Sequence, residues 1–166
     1  MELAPLLADP GYLQTALQLY ETIHGEEPAT AEPRFRRHGR TSGYRGRVAL
    51  VDGEVVGFAY GHDSNPGNPY HRRLQQALPP AAVDEWLDNA YEVVELAVAP
   101  ESRRQGIGSR LVEAVLAGTD RTTAVLTAER NAVGARGFYE ATGWQRVYEP
   151  FVVNGVEMTV FGRRIA

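Results

Sequence analysis

Cysteine is absent from the 166 residues, and so is lysine; all 17 basic residues are arginine. Without a thiol the chain has no disulfide, no thiolate metal site and no cysteine nucleophile, although a serine ester stays open as an acyl carrier. Without lysine it has no Schiff-base nucleophile and no Walker A loop, whose lysine reaches the β- and γ-phosphates. The four histidines are scattered and give no metal spacing such as HExxH. No apolar run reaches the length of a membrane span, and no signal-peptide or lipidation pattern is seen, which predicts a soluble cytoplasmic protein without a membrane partner. Charge imbalance is small: a net −4 argues against nucleic acid as the main partner. The remaining composition, 43% apolar and 23% charged, is ordinarily globular, and the length predicts a single domain over residues 1–166.

The stretch at residues 91–117 organises the rest. Its apolar run, Val93-Val94 and Leu96-Ala97-Val98, is long enough for one buried strand and too short for a core helix. Pro100 ends the ladder because it has no N–H to donate. A polar loop carries Arg103, Arg104 and Gln105 into Gly106-Ile107-Gly108-Ser109. Ile107, Leu111 and Val115 then recur every four residues, with Val112 and Leu116 beside them, the pattern of an amphipathic helix. Strand, basic glycine loop and helix make a phosphate cradle: first-turn N–H groups lack helical acceptors, and the helix dipole adds roughly half a positive charge there. The glycines remove the Cβ atoms that would hold a phosphate off the backbone, and the arginines offer charge-assisted, bidentate partners. A tight turn with no ligand is the alternative reading of a bare GxG. The dinucleotide fingerprint fails, since Leu111 stands where a third glycine belongs and the strand does not lead straight into the turn.

What remains resembles the acyl-CoA loop of the GNAT N-acetyltransferase superfamily, (Arg/Gln)-x-x-Gly-x-(Gly/Ala), met by Arg103, Gly106 and Gly108. The preceding Leu96-Ala97-Val98-Ala99-Pro100 is similar to that family's Leu-x-Val-x-Pro strand end. A second stretch, Phe138-Tyr139 followed by Gly143-Trp144, resembles its Phe-Tyr-x-x-x-Gly-Phe element. The resemblance implies an α/β fold of GNAT type, a mixed central sheet with helices on both faces and a V-shaped splay at the central strand. It implies acetyl-CoA as co-substrate, held by the 103–109 loop and by the strand backbone at Leu96, Ala97 and Val98. The family's asparagine, seven residues before the tyrosine, touches the pantetheine arm; here Asn131 lies eight before, so the helix starts early, bulges, or leaves Asn131 another task.

Along the chain, residues 1–7 read as an edge strand and 10–24 as a helix, with a break at 25–33. Residues 33–42 hold Arg34, Arg36, Arg37, His38 and Arg40, read either as the solvated face of a short helix or as a site for a 3′-phosphate or acidic partner. Asp52-Gly53 and Asn154-Gly155 predict two hairpins. Residues 61–69 read as loop, 70–78 and 81–87 as short helices, 122–127 as a buried strand and 131–141 as a helix. Tyr60, His62, Tyr70, His71 and Trp86 either line an acceptor pocket or pack a core. Exposed edges of the last hairpin leave a homodimer open.

Acetyl transfer to an amine sets the remaining expectations. The amine of a small molecule or peptide must lose a proton, and a strand carboxylate can take it, an effect of roughly 10²–10⁴-fold. Glu92 and Glu95 are the candidates, on opposite faces by their odd spacing. Glu92, sharing a face with Val94, Leu96 and Val98, is preferred; either is equally suited to pair with an arginine. The family analogy gives the Leu96 N–H to the thioester oxyanion, a donor worth about 3 kcal/mol, and Tyr139 to the departing thiolate as acid. A non-catalytic acyl-CoA-binding regulatory module is the alternative function.

Overall fold

The computed structural model describes every residue, Met1–Ala166. In chain order the elements are β1 (Glu2–Pro5), α1 (Pro10–His24), α2 (Pro28–His38), β2 (Arg45–Val51), β3 (Glu54–Ser64), α3 (Pro69–Ala77), α4 (Pro80–Trp86) and β4 (Ala90–Val98). After a 3₁₀ turn at Pro100–Ser102 come α5 (Ile107–Leu116), β5 (Thr123–Glu129), α6 (Val133–Ala141), β6 (Gln145–Val153) and β7 (Val156–Arg164). The fold is α/β. Its seven strands are ordered β1-β2-β3-β4-β5-β7-β6, with β4 parallel to β5 and the hairpins antiparallel. A mixed sheet of this order is consistent with a splay at β4. No helix is long and apolar enough to cross a membrane.

The chain forms two compact units, Met1–His62 with Val93–Gly118 and Asp63–Glu92 with Thr119–Ala166, so β4 contributes residues to both. In the first, Leu13, Ala16 and Leu17 of α1 and Ala31 and Phe35 of α2 pack onto Val48, Phe58, Tyr60 and Ala97. Helix spacing on one side and strand alternation on the other bring these side chains to one layer. On the opposite face a Cβ at Gly57 would stand 2.9 Å from the Ala97 carbonyl and 3.3 Å from Leu111 of α5, so only glycine admits that approach. The β2–β3 turn is primed, with Asp52 and Gly53 both at positive φ (51° and 80°).

Residues 25–33, expected as a break, are helical from Pro28 onward. Pro28 sits in the first helical turn, where its missing N–H costs nothing, and buried Ala31 and Phe35, four apart, anchor the helix through Pro33. The expected loop at 61–69 also begins late, because β3 runs on to Ser64. Its polar end is satisfied by specific partners: Arg121 makes a bidentate pair with Asp63 at 3.1 and 2.9 Å, and Ser64 Oγ bonds His71 Nδ1 at 2.8 Å. Turn-forming letters carried the loop reading, and long-range partners override them.

In the second unit α3 and α4 lay Leu74, Leu78, Trp86 and Leu87 on Ala90, Val125, Phe151 and Val160. Trp86 lies flat on Gly162, where a Cβ would fall 2.5 Å from the ring. Register assigns the faces. Ala90, Glu92 and their partners Thr123 and Val125 look toward α3 and α4; Leu126 and its partner Phe161 look the other way, toward Tyr139 and Trp144.

Candidate active site

The Ala99 N–H closes the end of β4 onto the Val56 carbonyl at 2.8 Å, and the chain then turns away. Arg104 and Gly106 both sit in the left-handed region, at φ 63° and 79°, and α5 begins at once. The first bond of this helix start runs from the Arg110 N–H to the Gly106 carbonyl at 3.1 Å, which leaves the Ile107, Gly108 and Ser109 amides ahead of the ladder. No side chain caps this end. A Cβ built at Gly106 meets nothing within 4 Å, so the space above the turn is open. Arg103, Arg104 and Gln105 are exposed around it, and Ile107 is buried beneath. Three amides, a helix dipole and open room over a glycine form a donor set that suits a diphosphate. Arg103 is partly spent: its Nε donates to the Val98 carbonyl at 3.0 Å, tying the loop to the strand end. That bond takes one of the two lone pairs of the carbonyl.

Val94, Glu95 and Leu96 are all half-buried, although β4 is the fourth of seven strands. Consecutive residues point to alternate faces, so the strand is uncovered on both sides at this point. Val94 and Ala97 both join the core under α1 and α2. A three-residue spacing breaks strict alternation, and the single face expected for Glu92, Val94, Leu96 and Val98 does not hold. Glu95 belongs to the first unit's polar cluster, where its charge acts on Tyr20, Tyr60 and Arg34. Burial first, and then Glu95, pushes Tyr20 up to about 12, against the opposing charge of Arg34. The Arg34 guanidinium holds Glu26 at 2.7 Å and the Tyr20 hydroxyl at 3.2 Å.

Glu92 is 6% exposed, and its Oε1 has no hydrogen-bond partner. Burial alone pushes its carboxyl up to about 7. Tyr139 is half-buried on α6, its ring 5.6 Å from Phe161 and 6.1 Å from Trp144, while the Trp144 N–H returns to the Tyr139 carbonyl at 3.0 Å. Trp144 is itself buried with an unpartnered Nε1. Glu92 and Tyr139 thus occupy opposite faces of the β5–β7 layer.

Asn131 is exposed and outside the helix, which starts at Val133. An inverse γ-turn at Ala132 (φ −80°, ψ 77°), with the Val133 N–H on the Asn131 carbonyl at 3.0 Å, supplies the extra residue in the spacing. Of the basic cluster on α2, Arg34 pairs with Glu26, Arg36 pairs with Glu32, and His38 bonds Tyr60, so its members are largely engaged within the unit. In the 60–90 segment, Tyr70 bonds Thr127, while His71 and Trp86 are buried. The sequence reading missed the gathering of Tyr20, Tyr44 and His38 about Tyr60. Tyr20 sits in an ordinary helical stripe, and nothing local sets Tyr60 apart from the other apolar positions of its strand.

The sequence matches the acetyltransferase (GNAT) domain family over residues 42–146. No curated protein matches it. Among solved structures, Ard1 from Thermoplasma volcanium is 18% identical, with 99% of this chain and 97% of that one covered at a TM-score of 0.71. The ribosomal-protein-alanine N-acetyltransferase from Brucella melitensis is 14% identical, covering 99% and 100%, at 0.70. The yncA protein from Salmonella typhimurium, solved with its cofactor acetyl-CoA, is 14% identical, covering 100% and 94%, also at 0.70. At such identities the likeness speaks for the fold, and the family match covers well over half of the chain. This chain belongs to the GNAT family of acetyltransferases, whose acyl donor is acetyl-CoA.

Proposed function

We propose that the protein moves an acetyl group from acetyl-CoA to a primary amine of a small molecule or peptide, by direct attack within a ternary complex. The observation that carries this reading is the uncapped start of α5, with its three leading amides and the open space over Gly106. Those amides hold the cofactor's diphosphate, with Arg104 and the remaining donors of Arg103 beside them. When bound, the cofactor supplies a thioester carbonyl open to nucleophilic attack. The Leu96 N–H, on the uncovered part of β4, donates to the oxygen of that carbonyl as it gains charge. A β4 carboxylate, Glu92 or Glu95, takes the proton that the ammonium must lose, and Tyr139 supplies one to the departing sulfur.

Isothermal titration with acetyl-CoA, followed by thiol release over a panel of amines, amino acids, polyamines and peptides, tests the reading. Binding with amine-dependent thiol release supports it. Binding without release from any amine turns the assignment to the regulatory module, and no binding removes both.

A further inference from the structure

The basic stretch of α2 has no task so far in the proposed reaction, on which the following rests. Its first arginine is held in place all the same. Arg34 lies over the rings of Tyr20 and Phe35, its Cζ 5.6 and 5.8 Å from their centroids. Nη1 donates to Glu26 Oε1 at 2.7 Å, and Nη2 to the Tyr20 hydroxyl at 3.2 Å. A guanidinium has five N–H donors. Two are used here, and the other three, Nε–H among them, make no hydrogen bond within the chain. The Arg34 side chain is 29% exposed and that of Glu26 31%, so a solute can reach the unused donors. An ion pair this open to water contributes little to stability, which makes stability a weak reason for the arrangement.

Packing ties this group to the uncovered part of β4. Tyr20 and Val94, both partly buried, rest against the cluster that contains Phe35. Val94 leads into half-buried Glu95 and Leu96. The charge of Glu95 acts on both Arg34 and Tyr20, so the carboxylate and the guanidinium share one neighbourhood. Arg37, three residues after Arg34 and therefore on the same side of the helix, is exposed and adds a second positive charge.

We propose that Arg34 binds a carboxylate of the acceptor, which makes the substrate class a free amino acid with its amine presented to β4. The unused N–H groups are enough for both oxygens of a carboxylate, and the half-buried setting strengthens such bonds relative to open water. Glu26 and Tyr20 keep their own bonds and hold the guanidinium still, so little freedom is lost when the substrate arrives. The charges match end for end: the ammonium meets Glu95 and the carboxylate meets Arg34. A polyamine would instead set its second cation against Arg34 and Arg37. A peptide N-terminus or an amino acid amide has no carboxylate beside the amine and leaves Arg34 unanswered.

Isothermal titration of the full chain with free amino acids, and with the same amino acids as their amides, measures this without turnover when CoA, which has no acetyl group to give, is in excess. The tightest-binding amino acid should exceed its amide in affinity by at least about tenfold, as one charge-assisted pair warrants. Arg34→Gln removes the charge and should bring that ratio close to one by weakening the amino acid. A wild-type ratio near one overturns the proposal, and so does a preference that survives Arg34→Gln. Amides, short peptides or polyamines that bind more tightly than every amino acid overturn it too and assign the acceptor to their own class. Should Arg34→Gln fail to fold, Arg34→Lys decides: it keeps the charge and loses the fork, so the ratio must fall there as well. CoA binding is measured on the same samples. If CoA does not bind the wild type, the transferase assignment falls, while the amino acid comparison repeated without CoA still judges Arg34.

Discussion

A carboxyl group sealed from water at position 92 costs the fold stability in proportion to pH. In the unfolded chain Glu92 titrates at its ordinary value of 4.5, and in the fold burial raises this to about 7. Because the folded state holds the proton more tightly, its contribution is fully present below about pH 4.5 and is lost as pH rises through about 7. The gap corresponds to about 3 kcal/mol, a large part of the stability of a domain this size. Oε1 has no hydrogen bond, and burial is the cause of the raised value. Glu92→Gln keeps the shape and removes the charge. Urea unfolding of both proteins between about pH 4.5 and 8 measures the effect as a pH-dependent gap. The two proteins should be similar at the acid end and diverge by up to about 3 kcal/mol above neutrality, the variant being the more stable. Curves that stay parallel over the whole range refute the argument, because they mean the Glu92 charge is solvated or paired in the fold.

Gly106→Val places a branched side chain at φ 79° and fills the open space over the α5 amides; acetyl-CoA affinity by isothermal titration should fall at least about tenfold, with a strain cost of about 1–3 kcal/mol in thermal stability. With Tyr139 in the proposed acid role, Tyr139→Phe should lower kcat at least about tenfold while acetyl-CoA affinity stays close to wild type, since it removes the hydroxyl and keeps the ring packed on Phe161 and Trp144. Gly162→Ala drives a methyl into the face of Trp86, where only 2.5 Å is available, and should destabilise by about 1–3 kcal/mol in urea. Arg121→Ala strips both guanidinium donors from Asp63, which is 11% exposed; a loss of about 1–3 kcal/mol is expected, reversed in part by adding Asp63→Asn.

The parts legible in the sequence are those with local causes. Pro10 to His24 reads as a helix from its apolar stripe, and the structure ends that helix at Gly25 in the left-handed region. Asp52-Gly53 and Asn154-Gly155 specify primed turns because both members of each pair take positive φ. The glycine turn before α5 is legible for the same reason: Gly106 takes a left-handed backbone, and the helix behind it has a clear period. Illegible were features whose cause lies far along the chain. Asp63 belongs to a strand, with Arg121 crossing 58 residues to reach it. Local composition at 61–64 carries the opposite signal.

The two glutamates show where pattern reading stops being a guide to chemistry. Spacing puts Glu92 and Glu95 on opposite faces of one apolar strand and prefers Glu92 for the face it shares. Their surroundings make them different acids. Glu92 looks toward the layer under α3 and α4, with Val125 as its strand partner and no hydrogen bond at Oε1, so its proton is held by the cost of charging a buried site. Glu95 lies among phenols and a guanidinium gathered from α1, α2 and β3, so its charge is answered by dipoles and by Arg34. A base for an alkylammonium must be charged when the amine arrives and must lose its proton before the next turnover. Glu92 meets the first demand only above neutrality. Glu95 is half-buried on the uncovered part of the strand, where solvent can receive that proton. If Glu92 were nevertheless the base, activity would rise with pH through about 7 and Glu95→Gln would leave that rise in place; if Glu95 is the base, Glu95→Gln removes the activity at every pH while Glu92→Gln spares it.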